Sequence, residues 1–119
     1  PSAEQLAQAD VLIFFQKGAW DDTRQQAMDA YFARGGGAVY LHWAVNGEDR
    51  VADFSQRIGL ASRGGSIRYR HGPLTLNIHN HDDPIMRNIK QLELYDESYW
   101  LLTGNLNNIK LFATSLEDG

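Results

Sequence analysis

Two short apolar runs on either side of one capped helix constrain this chain most. Val11-Leu12-Ile13-Phe14-Phe15 is a continuous apolar stretch, mostly β-branched or aromatic. A run of that kind suits a strand buried on both faces, as in a parallel sheet covered by helices. Gln16-Lys17-Gly18 ends it with a turn. Asp21-Asp22 then offers an N-cap, and Gln25 follows Asp22 at capping-box spacing. Ala27, Met28, Tyr31 and Phe32 fall on one helical face, and Gly35-Gly36-Gly37 supplies a stop, so a helix is predicted over 22–34. Ala38-Val39-Tyr40-Leu41 is the second apolar run. Together, residues 11–41 read as a βαβ unit in which strands 11–15 and 38–41 are parallel neighbours.

The remainder is less regular. Residues 2–9 read as the end of a helix or a polar lead-in. Val51, Phe54 and Ile58 recur at helical spacing and end near Gly59. Ile67 and Tyr69 alternate with Ser66, Arg68 and Arg70, and Leu74, Leu76 and Ile78 alternate with Thr75, Asn77 and His79. Period two predicts half-exposed strands, joined as a hairpin through His71-Gly72-Pro73. Asp83-Pro84 reads as N-cap and first residue of a short helix ending near Asn88. Leu92 and Leu94 mark a strand over 91–95 that stops at Asp96-Glu97, and residues 109–114 form the last one. With 119 residues, one domain is expected.

Composition removes several classes. Eleven Lys and Arg are scattered along a chain of net charge −4, which argues against a binder of nucleic-acid backbone. No apolar run is long enough to span a membrane. The absence of cysteine excludes a disulfide scaffold, a thiolate metal site and a Cys nucleophile. PSAEQLAQAD has neither the basic nor the apolar region of a signal peptide. Since it also lacks an initiator Met, the chain is expected to be a domain cut from a longer one or the product of a cleaved leader.

In doubly wound α/β sheets, ligands bind outside the carboxyl ends of the strands. Those ends carry Gln16-Lys17, His42, and Asp96-Glu97 with Tyr99 just beyond. His42 stands where a nucleophile elbow would be. As a neutral imidazole it could act as general base, polarise a carbonyl or ligate a metal; the plainer alternative is a partly buried His bonded to backbone. On an extended segment Asp96 and Glu97 point to opposite faces, so one of them could face a site; a solvated loop pair is the alternative. His79-x-His81 with Asp82 and Asp83 has the residue types of a zinc site. The same string reads as a solvated loop in which Asp83 already caps a helix, and no metal is assigned. The Gly-rich stretches 35–37 and 64–65 read as helix stop and turn, because the first follows a helix instead of opening one. Trp20, Trp43 and Trp100 read first as core or pocket walls; Trp43 and Trp100 flank strand ends, which would also suit a sugar-binding face.

These residues resemble a known family. Gly35-Gly36-Gly37-Ala38-Val39-Tyr40-Leu41-His42 looks like the Gly-rich strand ending in His of the ThuA-like (trehalose-utilisation) family. Asp83-Pro84-Ile85-Met86-Arg87-Asn88-Ile89 resembles its His-Pro-Ile turn, and Leu94-Tyr95-Asp96-Glu97-Ser98-Tyr99-Trp100 its Asp-Glu-x-Tyr segment. Order and spacing match from about residue 10 to 114. The resemblance implies a class I glutamine-amidotransferase-like, flavodoxin-like three-layer α/β sandwich with a mostly parallel sheet, here lacking terminal elements of the family domain. It also implies carbohydrate metabolism, with disaccharides, keto-sugars or related polyols as substrates. The chain departs from the pattern at Tyr40, where a small Gly is expected, and at Asp83, where a His is expected.

Two classes of function stay open. In an enzyme, His42 is acid/base or ligand, Glu97 or Asp96 the partner carboxylate, and Tyr99, Trp43, Trp100 and Lys17 bind the substrate. Otherwise the same fold is a non-catalytic module for sugar or protein. No cofactor is specified. If the family's first strand and helix are missing, an apolar surface is left open, and self-association is expected.

Overall fold

The computed structural model describes residues 1–117. Helix α1 (Ala3–Gln8) opens on a capping box between Ser2 and Gln5. It leads into β1 (Val11–Phe14), α2 (Asp22–Ala33) and β2 (Gly37–Tyr40). The two strands pair in parallel with Val11 opposite Gly37 and Phe14 opposite Tyr40, so the expected βαβ unit is present. The cap of α2 is Asp21, the first of the two expected residues, and its carboxylate accepts the Arg24 N–H. Gly35, at φ +94°, ends the helix. A side chain at Gly36 would run into the Tyr31 ring. That ring is buried, and its hydroxyl donates to the carbonyls of Gly37 (2.7 Å) and Asp10 (3.1 Å). The Gly-rich stretch thus lets β2 leave the helix directly beneath Tyr31.

After β2 the chain makes a short 3-10 turn over His42–Val45, another over Glu48–Arg50, and then α3 (Val51–Ile58). The core lies between α2, α3 and one face of the strand pair. Trp20, Met28, Tyr31, Phe54 and Ala61 are buried, with Leu12, Phe14, Tyr40, Val51 and Ile58 packed around them. Phe14 stacks on Tyr40 at 4.7 Å, and Tyr40 meets Phe54 edge-on at 5.4 Å. Each fully buried side chain of this size contributes ~1.5–3 kcal/mol of transfer free energy. Arg57 clamps α3 to α2 with a two-pronged bond to Asp29, both distances 2.9 Å, which holds that carboxyl below its ordinary range.

The second half is antiparallel. β3 (Leu60–Ala61) pairs with β6 (Thr103–Gly104). β4 (Arg68–Ile78) pairs along its length with β5 (Leu92–Trp100) and at its end with β7 (Ala113–Thr114). A 3-10 turn over Pro84–Met86 opens on Asp83, which caps the Ile85 N–H as expected.

The flavodoxin-like sandwich is therefore corrected. Among the described residues the sheets have two, two and three strands, and only β1–β2 is parallel. The apolar runs 11–15 and 38–41 are not covered on both faces. Leu12, Phe14, Ala38 and Tyr40 face the core, whereas Val11, Ile13, Val39 and Leu41 face outward, Ile13 at 66% exposure. Among the described residues no second helical layer covers that side. The hairpin through His71-Gly72-Pro73 is also corrected, because the strand runs straight through it. Pro73 is tolerated since β7 pairs with β4 only at Asn77 and Ile78, leaving that edge without a ladder bond at the proline. Nor do Asp96-Glu97 stop a strand; they lie inside β5. The final strand shrinks from 109–114 to two residues.

Candidate active site

β2 delivers the chain to His42 and the backbone turns sharply there, with φ +49°. For a residue other than glycine this left-handed geometry costs about 1–3 kcal/mol, and it clusters at functional sites. Tyr40 does not prevent it, because its ring is held away from the turn between Phe14 and Phe54. The 3-10 turn that follows is closed by the Ala44 N–H on the Leu41 carbonyl at 3.0 Å.

The register of the ribbon supplies the partners. Along β5, residues 95, 97 and 99 share one face, and 96, 98 and 100 the other. Glu97 lies opposite His71 and Tyr99 opposite Tyr69. His42 meets the first of these faces. Its Nε2 is 3.0 Å from Glu97 Oε2 and 3.2 Å from the Tyr99 hydroxyl. Tyr99 donates its proton to the same Glu97 oxygen at 2.6 Å. These three contacts assign the tautomer. Both atoms facing Nε2 are oxygens with lone pairs to offer, so Nε2 carries the proton, and Nδ1 of the deprotonated ring is left as acceptor.

Electrostatics follow from the same bonds. The Tyr99 hydroxyl, and after it His42, hold the Glu97 carboxyl below its ordinary 4.5. The Glu97 carboxylate, helped by burial, pushes the Tyr99 phenol up to about 12. Glu97 is thus an anion and Tyr99 a donor at neutral pH.

His42, Trp43 and Tyr99 line a cavity of about 200 Å³ with walls that are mostly apolar. Its polar groups include Asn46 and Ser62, both buried. They belong to a bridge in which the Gly47 N–H donates to the Ser62 carbonyl and the Ser62 N–H to the Val45 carbonyl, each at 2.9 Å. That bridge ties the turn after His42 to the residue following β3.

Of the residues expected at a site, the structure brings together His42, Glu97, Tyr99 and Trp43. Asp96 points to the opposite face, and its carboxylate accepts the Glu97 N–H at 2.8 Å. Trp100 shares that opposite face, and its indole N–H is buried without a partner. Lys17 pairs with Glu48 and does not line the cavity. The His79–Asp83 string disperses: His79 bonds to Thr114 at 2.8 Å and Asp83 to Lys110 at 2.5 Å. Among the described residues no three His, Asp or Glu side chains gather as a metal site. Asn46, Ser62, Tyr69 and His71 were not anticipated. Tyr69 and His71 are legible only once strand register is known; Asn46 and Ser62 are ordinary loop polar residues in the sequence.

A family model described as ThuA, trehalose utilisation, matches residues 2–119. None of the curated proteins and none of the solved structures compared with the chain matches it.

Proposed function

We propose, on the premise that the chain belongs to the ThuA family of trehalose utilisation, that His42 and Glu97 form an acid–base pair acting on a carbohydrate. The substrate class is a disaccharide, a keto-sugar or a related polyol. One observation carries this reading: a histidine at strained backbone geometry, oriented by a carboxylate and a tyrosine beside a cavity with aromatic walls. Glu97 fixes the ring through Nε2 and leaves Nδ1 to take a proton. The proton comes from a sugar hydroxyl or from the C–H beside a keto carbonyl, and the imidazolium returns it. Trp43 and Tyr99 offer ring faces to the C–H side of a sugar, with the Tyr99 hydroxyl at its polar edge. With no cysteine in the chain, thiolate attack on a glutamine carboxamide is not open to it.

Deuterium exchange tests the reading. Keto-disaccharides incubated with the protein in D₂O are expected to exchange the proton beside the carbonyl, followed by proton NMR. His42→Ala and Glu97→Gln should each slow exchange by about 10²-fold or more, the usual weight of a positioned base. Exchange that is unaffected by both substitutions would overturn it. A second reading, a non-catalytic sugar-binding module, is favoured by the openness of the face, where Trp43 is 54% exposed. Tight binding without exchange or turnover of any sugar would establish that reading in place of the first.

A further inference from the structure

The face of the β4–β5 ribbon that holds Glu97 continues beyond the cavity. The register sets three facing pairs on it: Tyr69 with Tyr99, His71 with Glu97, and Pro73 with Tyr95. Tyr69 stacks on Tyr99 with ring centres 5.7 Å apart and planes 21° from parallel. His71 sits edge-on to Tyr95 at 5.0 Å. Tyr69 lies outside the residues that line the cavity, is 64% exposed, and its hydroxyl takes no partner among the described side chains. Neighbours on one face of a strand are about 6.8 Å apart, the scale of one pyranose ring.

We propose that Tyr69 is the floor of a second sugar-ring subsite, so that the site takes two linked rings, one in the cavity at His42 and Tyr99 and the next stacked on Tyr69. This rests on the carbohydrate reading above and names the substrate class more narrowly. The chemistry of the face favours a sugar over a protein. Its rings alternate with groups that donate and accept hydrogen bonds, namely His71, Glu97 and the tyrosine hydroxyls. A pyranose has the same division, with an apolar C–H face and a polar edge. The uncovered side of β1–β2 is different: Val11, Ile13, Val39 and Leu41 present no polar side chain at all. Stacking on Tyr69 also leaves Glu97 beside the junction of the two rings, since the Tyr69–Tyr99 and His71–Glu97 pairs are adjacent in the ribbon.

Calorimetric titration with trehalose and with D-glucose tests this, because the two probes differ only in the second ring. The expectation is that trehalose binds roughly tenfold tighter than glucose, a difference of one stacked ring. Tyr69→Ala should remove that preference and leave the glucose affinity unchanged, while Tyr69→Phe, which keeps the ring, should retain it. Tyr69 is exposed, so both variants are expected to melt as the parent does. Equal affinity for the two sugars in the parent, or equal weakening of both by Tyr69→Ala, would overturn the subsite alone. No binding of either sugar would overturn the carbohydrate reading and the subsite with it.

Discussion

Tyr31→Phe is the sharpest probe of the packing that delivers His42. Tyr31 is 2% exposed. Its hydroxyl sits where the carbonyls before β1 and at the start of β2 converge, 3.1 Å from Asp10 and 2.7 Å from Gly37. Phenylalanine keeps the ring and removes only the oxygen, so little volume is lost. The Asp10 carbonyl keeps another donor, the Gly37 N–H at 2.8 Å. The Gly37 carbonyl likewise faces the Leu12 N–H in the parallel ladder, so neither carbonyl is left without a donor and the loss is that of the hydroxyl's own hydrogen bond. Losing one buried hydrogen bond of this kind costs about 1–2 kcal/mol. For a domain of this size that lowers the melting midpoint by roughly 4–10 °C. Tyr31→Ala adds the cavity and should cost about 3–5 kcal/mol, the range for removing a buried aromatic. Thermal melts followed by circular dichroism measure both. A Tyr31→Phe midpoint equal to the parent's, or a loss as large as that of Tyr31→Ala, would refute the argument that the hydroxyl ties the two strands together.

The pH response of the site follows from the shifted groups. Glu97 is held below 4.5, so the part of its pairing that stabilises the folded state is complete above that value and is lost as pH falls through the lower folded one. NMR titration of the Glu97 carboxyl should place its midpoint below 4.5, and Tyr99→Phe should move it upward; an unmoved midpoint refutes the assignment. Tyr99 should stay protonated until about pH 12, and Glu97→Gln should bring its phenolate transition down toward 10. The uncovered side of β1–β2 predicts concentration-dependent self-association in light scattering that Ile13→Lys reduces, since uncovered apolar faces and open edges drive association. A strictly monomeric parent at high concentration would count against it.

The first half of the fold was legible because its signals are local. Two apolar runs, a capped helix and a Gly stop specify β1, α2 and β2 within a residue or two, and the period of Val51, Phe54 and Ile58 specifies α3. What misled was the assumption that a continuous apolar run is covered on both faces. The second half failed for a different reason. Tyr69 is apolar and odd-numbered, whereas Leu74, Leu76 and Ile78 are even. The change of parity looks like a turn, and Gly72-Pro73 supplies turn residues to match. In the structure the parity never changes. Gly72 and Leu74 are buried, with Arg70, Leu76 and Ile78 half-buried, while 69, 71, 73, 75 and 77 face out. Tyr69 reads as core only because it is aromatic. The same error ended β5 early: Asp96-Glu97 looks like solvated loop, yet the strand runs on through buried Ser98 to Trp100.

These misreadings fall together at the candidate site, and there is a physical reason for that. A non-glycine at φ +49°, a pair of carboxylates within a strand and an aromatic on the outward face are each disfavoured by local rules. Sequence patterning detects what stabilises an element by itself, so it reads each of them as a boundary or as core. Their compensation is non-local. The strained turn at His42 is held by a bond to Glu97, fifty-five positions away. Glu97 is held in turn by Tyr99 two residues on. The β3–β6 pair, just past Tyr99, anchors the end of β5 to the end of α3, and the bridge from Val45 and Gly47 to Ser62 anchors the turn after His42 to the same place. The turn after His42 and the far end of β5 are thus both fastened at residues 60–62. That arrangement keeps the cost of the strained histidine from being relieved by a local shift, which is what a preorganised acid–base pair requires.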